Sequence, residues 1–182
     1  MNYKTILLDP PWSEIGGGKI RRGADRHYNL LKTPDIIRVI LTQSPWNPER
    51  AGCHVWMWVT DNHLRDGLLV LDALGVRYVR TFQWIKILVD KAGRAKIDED
   101  GQPRLHMGLG QYGRGSHEMM LFGLIGRQKA LVRNRRSVIL APVGQHSVKP
   151  QESYDLIEAV SPGPRLELFA RGKREGWDGW GA

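Results

Sequence analysis

The run Asp9-Pro10-Pro11-Trp12 contains the residue types of this chain that are best suited to chemistry. It follows residues 5–8, a short aliphatic stretch that is typical of a buried β-strand. Because proline has a fixed φ and no N–H, Pro10 and Pro11 cannot continue a β-ladder, so they leave a stiff turn at the carboxyl end of the strand. Ligands of open α/β sheets bind at that end.

A turn of this kind suits transfer to an exocyclic amine of a nucleobase, which is a poor nucleophile because its lone pair is delocalised into the ring. The Asp9 carboxylate and the Pro10 carbonyl can accept the two N–H groups of such an amine and hold it in line with an electrophile. Trp12 can cover one face of a base that has left its stack. The alternative is a tight proline turn with a capping aspartate and a surface tryptophan, and these residues alone leave both interpretations open.

Composition predicts one globular domain over residues 1–182, with 41% hydrophobic and 25% charged residues. The net charge of +8 favours a polyanionic partner, with nucleic acid ahead of an anionic membrane. No apolar run approaches the roughly 20 residues of a membrane span. The single cysteine, Cys53, excludes an internal disulfide, and the first residues do not resemble a signal peptide, so a cytoplasmic protein is expected. No motif for a metal site is present.

Three further stretches are rich in basic or polar residues. Residues 13–26 follow the proline turn and are glycine-rich, which is typical either of a loop that closes over substrate phosphates or of a solvated loop. Residues 90–116 form a long polar connection, which in a compact domain is functional or disordered. Its glycine pattern at 108–113 matches a dinucleotide fingerprint, but no strand precedes it and no helix follows it. Residues 126–136 either contact phosphates or protect a sheet edge.

Strand patterns that alternate with helix patterns predict an α/β sandwich with a largely parallel sheet. The alternation of residues 53–60 is apolar on both faces, which indicates a central strand. Thr33 is the predicted N-cap of a first helix, with Pro34 at its first position. A second helix is expected from Asp61 or Asn62 to residue 74, and a third after Pro150. The predicted strands are residues 5–8, 53–60, 79–88, 118–122, 137–140 and 165–171, the last being the final strand.

Six short motifs are spread over almost the whole chain in a fixed order. They are Asp9-Pro10-Pro11-Trp12, His27-Tyr28, Trp84-Ile85-Lys86, His117-Glu118, His146-Ser147-Val148-Lys149-Pro150 and Glu167-Leu168-Phe169-Ala170-Arg171. In this order and spacing the chain resembles the MT-A70 family of adenine-N6 methyltransferases. The resemblance implies a Rossmann-like methyltransferase sandwich with permuted motif order, a largely parallel central sheet and helices on both faces. It also implies S-adenosylmethionine as the methyl donor.

The resemblance also implies roles for individual residues. In the donor site, Lys149 would meet the donor's carboxylate and Arg171 its ribose or amino-acid part. On the substrate side, Tyr28 would shape the base pocket, and Glu118 would order the target loop. The implied catalytic residues are Asp9, Pro10, Pro11, Trp12 and Tyr28. The implied donor-binding residues are Leu8, Asp9, His146, Ser147, Lys149, Glu167, Phe169 and Arg171. The residues expected to bind nucleic acid, from the charges of the loops and from the resemblance together, are Lys19, Arg21, Arg22, His27, Lys86, Arg114 and Glu118.

The expected activity is therefore methylation of adenine N6 in DNA, with RNA as the alternative substrate. Two other classes stay open at this point: an inactive accessory subunit that binds nucleic acid, and a methyltransferase for a protein or small-molecule amine. A homodimer or a heterodimer is compatible with the sequence.

Overall fold

The computed structural model describes residues 1–13, 31–108, 110, 112–144 and 148–181. Its strands are β1 (Thr5–Leu8), β2 (Gly52–Val59), β3 (Arg77–Ile87), β4 (His117–Gly126), β5 (Val138–Pro142), β6 (Arg165–Ala170) and β7 (Trp177–Gly181). Its α-helices are α1 (Thr33–Thr42), α2 (Leu64–Ala73) and α3 (Gln151–Val160), and a 3₁₀ turn spans Asp61–His63. Within this part of the chain no helix has the length and apolar character needed to cross a membrane.

The strands form one sheet in the order β5-β3-β4-β2-β1-β6-β7. β4 runs antiparallel to both of its neighbours, β2 and β3, whereas the other four pairings are parallel. The predicted α/β fold with a largely parallel sheet is confirmed. The parallel strands place their carboxyl ends at one edge of the sheet, and the antiparallel β4 begins at that same edge.

Two apolar clusters cover the two faces of the sheet. On one face, β1 and β2 pack against Ile36 and Ile40 of α1 and Val70 and Leu71 of α2. On the other, alternate residues of the same strands pack against α3. The predicted helices on both faces are therefore present, and the all-buried β2 is the central strand that its two-sided apolar pattern predicts.

Two sequence expectations about the elements were wrong. The strand at 165–171 is not the last, because β7 follows it and pairs in parallel with β6. β7 has the sequence Trp-Asp-Gly-Trp-Gly, which carries no aliphatic run, so its periodicity gave no signal. The first helix is preceded by Lys32 as its N-cap, and the Thr33 hydroxyl instead donates a hydrogen bond to Asp66 at 2.9 Å.

The polar connection after β3 has more backbone pairing than its sequence predicts. Isolated antiparallel bridges join Val89 to Ala95, Ile97 to Pro103 and Ile87 to Leu105, so the chain folds back on itself twice. The basic stretch at 127–136 leaves the end of β4, where Gly126 pairs with Gly52 at the start of β2. Because β2 runs parallel to β1, this stretch emerges at the edge of the sheet opposite Asp9.

Close packing beside β4 gives a testable prediction for stability. A Cβ on Gly123 would lie 2.5 Å from the Val76 Cγ1 atom and 2.9 Å from the Arg77 carbonyl oxygen. We therefore expect Gly123→Ala to lower the free energy of unfolding by about 1–3 kcal/mol, measured by urea denaturation. The control is Gly113→Ala, where a new Cβ meets nothing within 4 Å. Equal stability of the two variants would contradict the close packing at Gly123.

Candidate active site

The carboxyl ends of the parallel strands bring four elements together around Asp9. Asp9 follows β1, and its backbone N–H donates to the Leu168 carbonyl of β6 at 3.2 Å. Arg171 directly follows β6, Glu118 lies at the start of the antiparallel β4, and Lys149 precedes α3. Residues that are far apart in the sequence therefore meet at the edge predicted for the site.

Two cations hold the Asp9 carboxylate, which is only 8% exposed. The Lys149 ammonium lies 2.8 Å from Oδ1 and 2.9 Å from Oδ2 of Asp9. The Arg171 guanidinium lies 3.3 Å from Oδ2. Hydrogen bonds between charged groups are stronger than neutral ones, so these contacts fix the orientation of the carboxylate.

Negative and positive side chains alternate in a chain of ion pairs that runs from Asp9 to Lys86 on β3. Beyond Lys149 lies Glu118, whose Oε2 is 3.7 Å from the Lys149 ammonium and whose Oε1 is 2.7 Å from the Lys86 ammonium. Burial alone would raise the pKa of Glu118, but the Lys149 and Lys86 charges lower it below its usual value. Glu118 is therefore an ionised carboxylate at neutral pH and links the two lysines.

The lysines of this network also lie over buried indoles. The Lys149 ammonium is 5.3 Å from the Trp58 ring centre, and the Lys86 ammonium is 5.0 Å from the Trp84 ring centre. Both tryptophans are at most 3% exposed and belong to the core. The π-face of each indole attracts the ammonium group above it and restricts the positions that the lysine side chain can adopt.

A cleft of about 190 Å³ opens beside Asp9. Inside it the Tyr154 hydroxyl donates to the Glu167 carboxylate at 2.9 Å, and the Arg174 guanidinium lies 3.4 Å from the Tyr154 ring centre. Burial is the main cause that raises the pKa of Glu167 and of Tyr154. The lining residues are Asp9, Val148, Lys149, Tyr154, Glu167, Arg171, Gly172, Lys173 and Arg174.

Tyr154 and Arg174 were not among the residues predicted for the site. Tyr154 lies on the first turns of α3, where its spacing only indicates a buried helix face. Arg174 belongs to the basic run after β6. Positive charges directly after a strand that ends beside Asp9 were a signal that could have identified Arg174, whereas Tyr154 had no such signal.

The structure places Trp12 differently from the sequence interpretation. Its indole is 9% exposed, stacks on His63 with ring centres 5.3 Å apart, and donates its N–H to the Trp58 carbonyl at 3.0 Å. Trp12 therefore anchors the turn in the core, so the alternative of a surface tryptophan was wrong, and its role in covering a base stays a prediction. Trp12 belongs to the apolar cluster on the face of the sheet that α1 and α2 cover, and burying its indole there is more favourable in free energy than exposing it to water.

The Pro10 and Pro11 carbonyls are already used inside the turn. Pro10 accepts the Trp12 backbone N–H and Pro11 accepts that of Leu31, both at 2.9 Å. A carbonyl oxygen has two lone pairs, so Pro10 retains the capacity to accept a second donor. Its predicted role in binding an amine stays a prediction.

The other predicted residues divide into three groups. Leu8, the residue before Asp9, is fully buried. Phe169 has a φ of 63° and packs against Trp180 and the apolar cluster on the face of the sheet that α1 and α2 cover. Phe169 does not line the cleft. Arg114 is exposed shortly before β4, at the same edge as Asp9. The remaining residues, Lys19, Arg21, Arg22, His27, Tyr28, His146 and Ser147, lie outside the described part of the chain.

Comparison with known proteins adds an independent finding. The family model described as MT-A70 matches residues 3–182. The N6-methyladenosine RNA methyltransferase MTA1 of Pyricularia oryzae is 31% identical over 99% of this chain and 46% of its own length. The Type II methyltransferase M.MunI of a Mycoplasma species is 25% identical over 98% of this chain and 76% of its own length. Human N(6)-adenine-specific methyltransferase METTL4 is 24% identical over 100% of this chain and 38% of its own length. This chain thus spans less than half the length of the fungal and human relatives.

Proposed function

The chain belongs to the MT-A70 family, and from this premise we propose that it transfers a methyl group from S-adenosylmethionine to the N6 amine of adenine in a nucleic acid. The observation that carries the proposal is the buried Asp9 carboxylate, held between Lys149 and Arg171 at the mouth of a charged cleft. The Asp9 carboxylate, the rigid proline turn and the charged cleft lie at one edge of the sheet, which supports the proposal that the donor binds there.

The residues present fit the amino-acid end of S-adenosylmethionine. That end carries a carboxylate and an ammonium group, and the cleft offers Lys149, Arg171 and Arg174 as cations beside Asp9 and Glu167 as carboxyl groups. Ligand pockets commonly measure about 300–1,000 Å³, so a cleft of about 190 Å³ suits part of the donor. When bound, the donor supplies an electrophilic methyl carbon on a sulfonium sulfur.

In this proposal Asp9 orients the amine and stabilises the positive charge that develops on it. Its carboxylate accepts an N–H of the adenine amine, which favours a tetrahedral nitrogen whose lone pair points at the donor's methyl carbon. The Pro10 carbonyl accepts the second N–H. The proline turn fixes both acceptors before the substrate arrives, so the gain comes from positioning and electrostatic stabilisation.

We propose DNA as the first candidate substrate and RNA as the second. DNA is placed first because this chain covers 76% of the length of the Type II methyltransferase. RNA is kept as the second candidate because the RNA methyltransferase of Pyricularia oryzae shares the higher identity, 31%. Incubation with labelled donor and matched DNA or RNA oligonucleotides, followed by nucleoside analysis, tests both. Labelled N6-methyladenine from DNA supports the first candidate, and label only in RNA supports the second. Donor binding without label in either would favour an accessory subunit, and label in a protein or small amine would favour the remaining class.

A dimer is part of the proposal because the edge strand β5 carries uncovered apolar side chains. Val138 is 45% exposed and Leu140 is 51% exposed. Exposed apolar side chains on a sheet edge are suited to a partner, which can be a second copy or a different subunit. Light scattering during size-exclusion chromatography measures the mass directly.

The position of the basic residues predicts which of them contact phosphates near the target base. Arg114 lies at the Asp9 edge, whereas Arg135 belongs to the basic stretch at the opposite edge, and both are exposed. With a short oligonucleotide, Arg114→Gln is expected to reduce the salt dependence of log K by about 0.9, the value for one phosphate contact with duplex DNA. Arg135→Gln is the matched control and should leave the slope unchanged. The reverse pattern would move the nucleic-acid surface to the opposite edge.

A further inference from the structure

His63 links the proline turn to the helices beneath it. The residue ends the 3₁₀ turn after β2 and is 4% exposed. Its ring stacks on the Trp12 indole with an interplanar angle of 17°. Its Nδ1 lies 2.9 Å from the Asp66 Oδ2 atom, and its Nε2 is hydrogen-bonded to the Ser13 carbonyl oxygen.

Both ring nitrogens of His63 therefore face acceptors. The Asp66 carboxylate and the Ser13 carbonyl oxygen both accept hydrogen bonds, so the His63 ring is held from two sides. Hydrogen bonds from His63 and Thr33 lower the pKa of Asp66 below its usual value. The Thr33 hydroxyl at the start of α1 joins the same carboxylate at 2.9 Å.

These contacts fix the far end of the turn that carries Asp9. Trp12 is held by its stack on His63 and by its N–H bond to Trp58, and the next residue, Ser13, is held through its carbonyl. Between Trp12 and Asp9 lie two prolines whose φ angles are fixed, so a displacement of Trp12 is passed along a stiff segment.

We propose that His63, with Asp66 as its hydrogen-bond partner, is a positioning residue that sets the place of the Asp9 carboxylate. This inference rests on the proposed function. His63 acts through Trp12 and Ser13, and none of its contacts described above involves the cleft or the Asp9 carboxylate. Its loss should therefore affect the rate of transfer and leave donor binding intact.

Two substitutions separate the parts of this interaction. His63→Phe keeps an aromatic ring against Trp12 and removes both ring nitrogens, whereas His63→Gln keeps an amide N–H that can reach the Ser13 carbonyl. Since misplacement of a reacting group by about 1 Å can cost about 10²-fold, we expect His63→Phe to lower kcat by about 10–100-fold. The donor Kd should stay within about twofold, and His63→Gln should recover part of the kcat. Asp66→Asn should resemble His63→Phe.

The first measurement is kcat at saturating substrates, normalised to the fraction of molecules that bind donor. The second is the hydrogen-exchange rate of the Trp12 indole N–H, whose signal is assigned with the variant Trp12→Phe. Faster exchange in His63→Phe together with a lower kcat supports the proposal. An unchanged kcat, or a kcat that falls in parallel with donor binding, overturns it. If the wild-type protein transfers no methyl group, the proposed function fails, and the exchange rate alone tests the turn: protection that is unchanged in His63→Phe overturns the anchoring.

Discussion

Replacing Asp9 with asparagine is expected to lower kcat for methyl transfer by about 10²–10³-fold, in line with the loss of one preorganised charge-stabilising group. Asparagine keeps the shape of the side chain and one acceptor oxygen, but it loses the negative charge that stabilises the developing positive charge on the amine. The cost falls on the transition state, so the loss should appear in kcat. Nucleic-acid affinity, which depends mainly on phosphate contacts, should remain within a few-fold.

The control for this experiment must separate chemistry from folding. In Asp9→Asn the Lys149 ammonium keeps Glu118 at 3.7 Å, so it is not left without an anion. Circular dichroism and the urea midpoint of unfolding establish that the variant is folded, and the oligonucleotide Kd establishes that it binds. A folded, binding-competent Asp9→Asn protein with wild-type kcat would show that the carboxylate has no part in the reaction.

The position of this carboxylate could be predicted from sequence because every step was local. An aliphatic run that ends in two prolines indicates a strand and its end, and the strand–helix alternation indicates which edge of the sheet collects such ends. Its partners were different. Lys149 is 140 residues away in the chain and meets Asp9 because α3 packs on the face of the sheet that carries Leu7 of β1 and Trp58 of β2. The sequence resemblance assigned Lys149 to the donor, and no local pattern indicated that it binds both Asp9 oxygens.

Other features escaped the sequence analysis for related reasons. β7 consists of aromatic, glycine and acidic residues, so only its pairing with β6 makes it a strand. Trp12 was interpreted either as a cover for a base or as a surface residue of a turn, and its burial depends on His63 and Trp58, which belong to another part of the chain. In both cases tertiary contacts decided the outcome, and single-residue patterns do not encode such contacts.

The contact between Lys149 and Asp9 leads to a second prediction, on donor affinity and on the order in which donor and base bind. In the structure, the Lys149 ammonium binds both oxygens of the Asp9 carboxylate, which in the proposed function accepts one N–H of the adenine amine. A donor carboxylate that attracts Lys149 would draw its charge away from these oxygens and make Asp9 a stronger acceptor for the amine, so donor binding should precede productive binding of the base. If the proposed function holds, Lys149 would have one role in holding the donor and another in keeping Asp9 paired until the donor arrives.

Lys149→Met is therefore expected to weaken donor binding by about 10–100-fold, the equivalent of one charge-assisted hydrogen bond, measured by calorimetry. The matched control is Lys86→Met, because Lys86 also pairs with Glu118 and also lies over a tryptophan, but it forms no ion pair with Asp9 in the described structure. The donor Kd of this control should stay within a few-fold of wild type. Inhibition by the demethylated product should change as well: the order imposed by Lys149 predicts competition with donor only, and Lys149→Met should relax that order. Wild-type donor affinity in Lys149→Met would show that the ammonium serves Asp9 alone and that other cations of the cleft bind the donor's carboxylate.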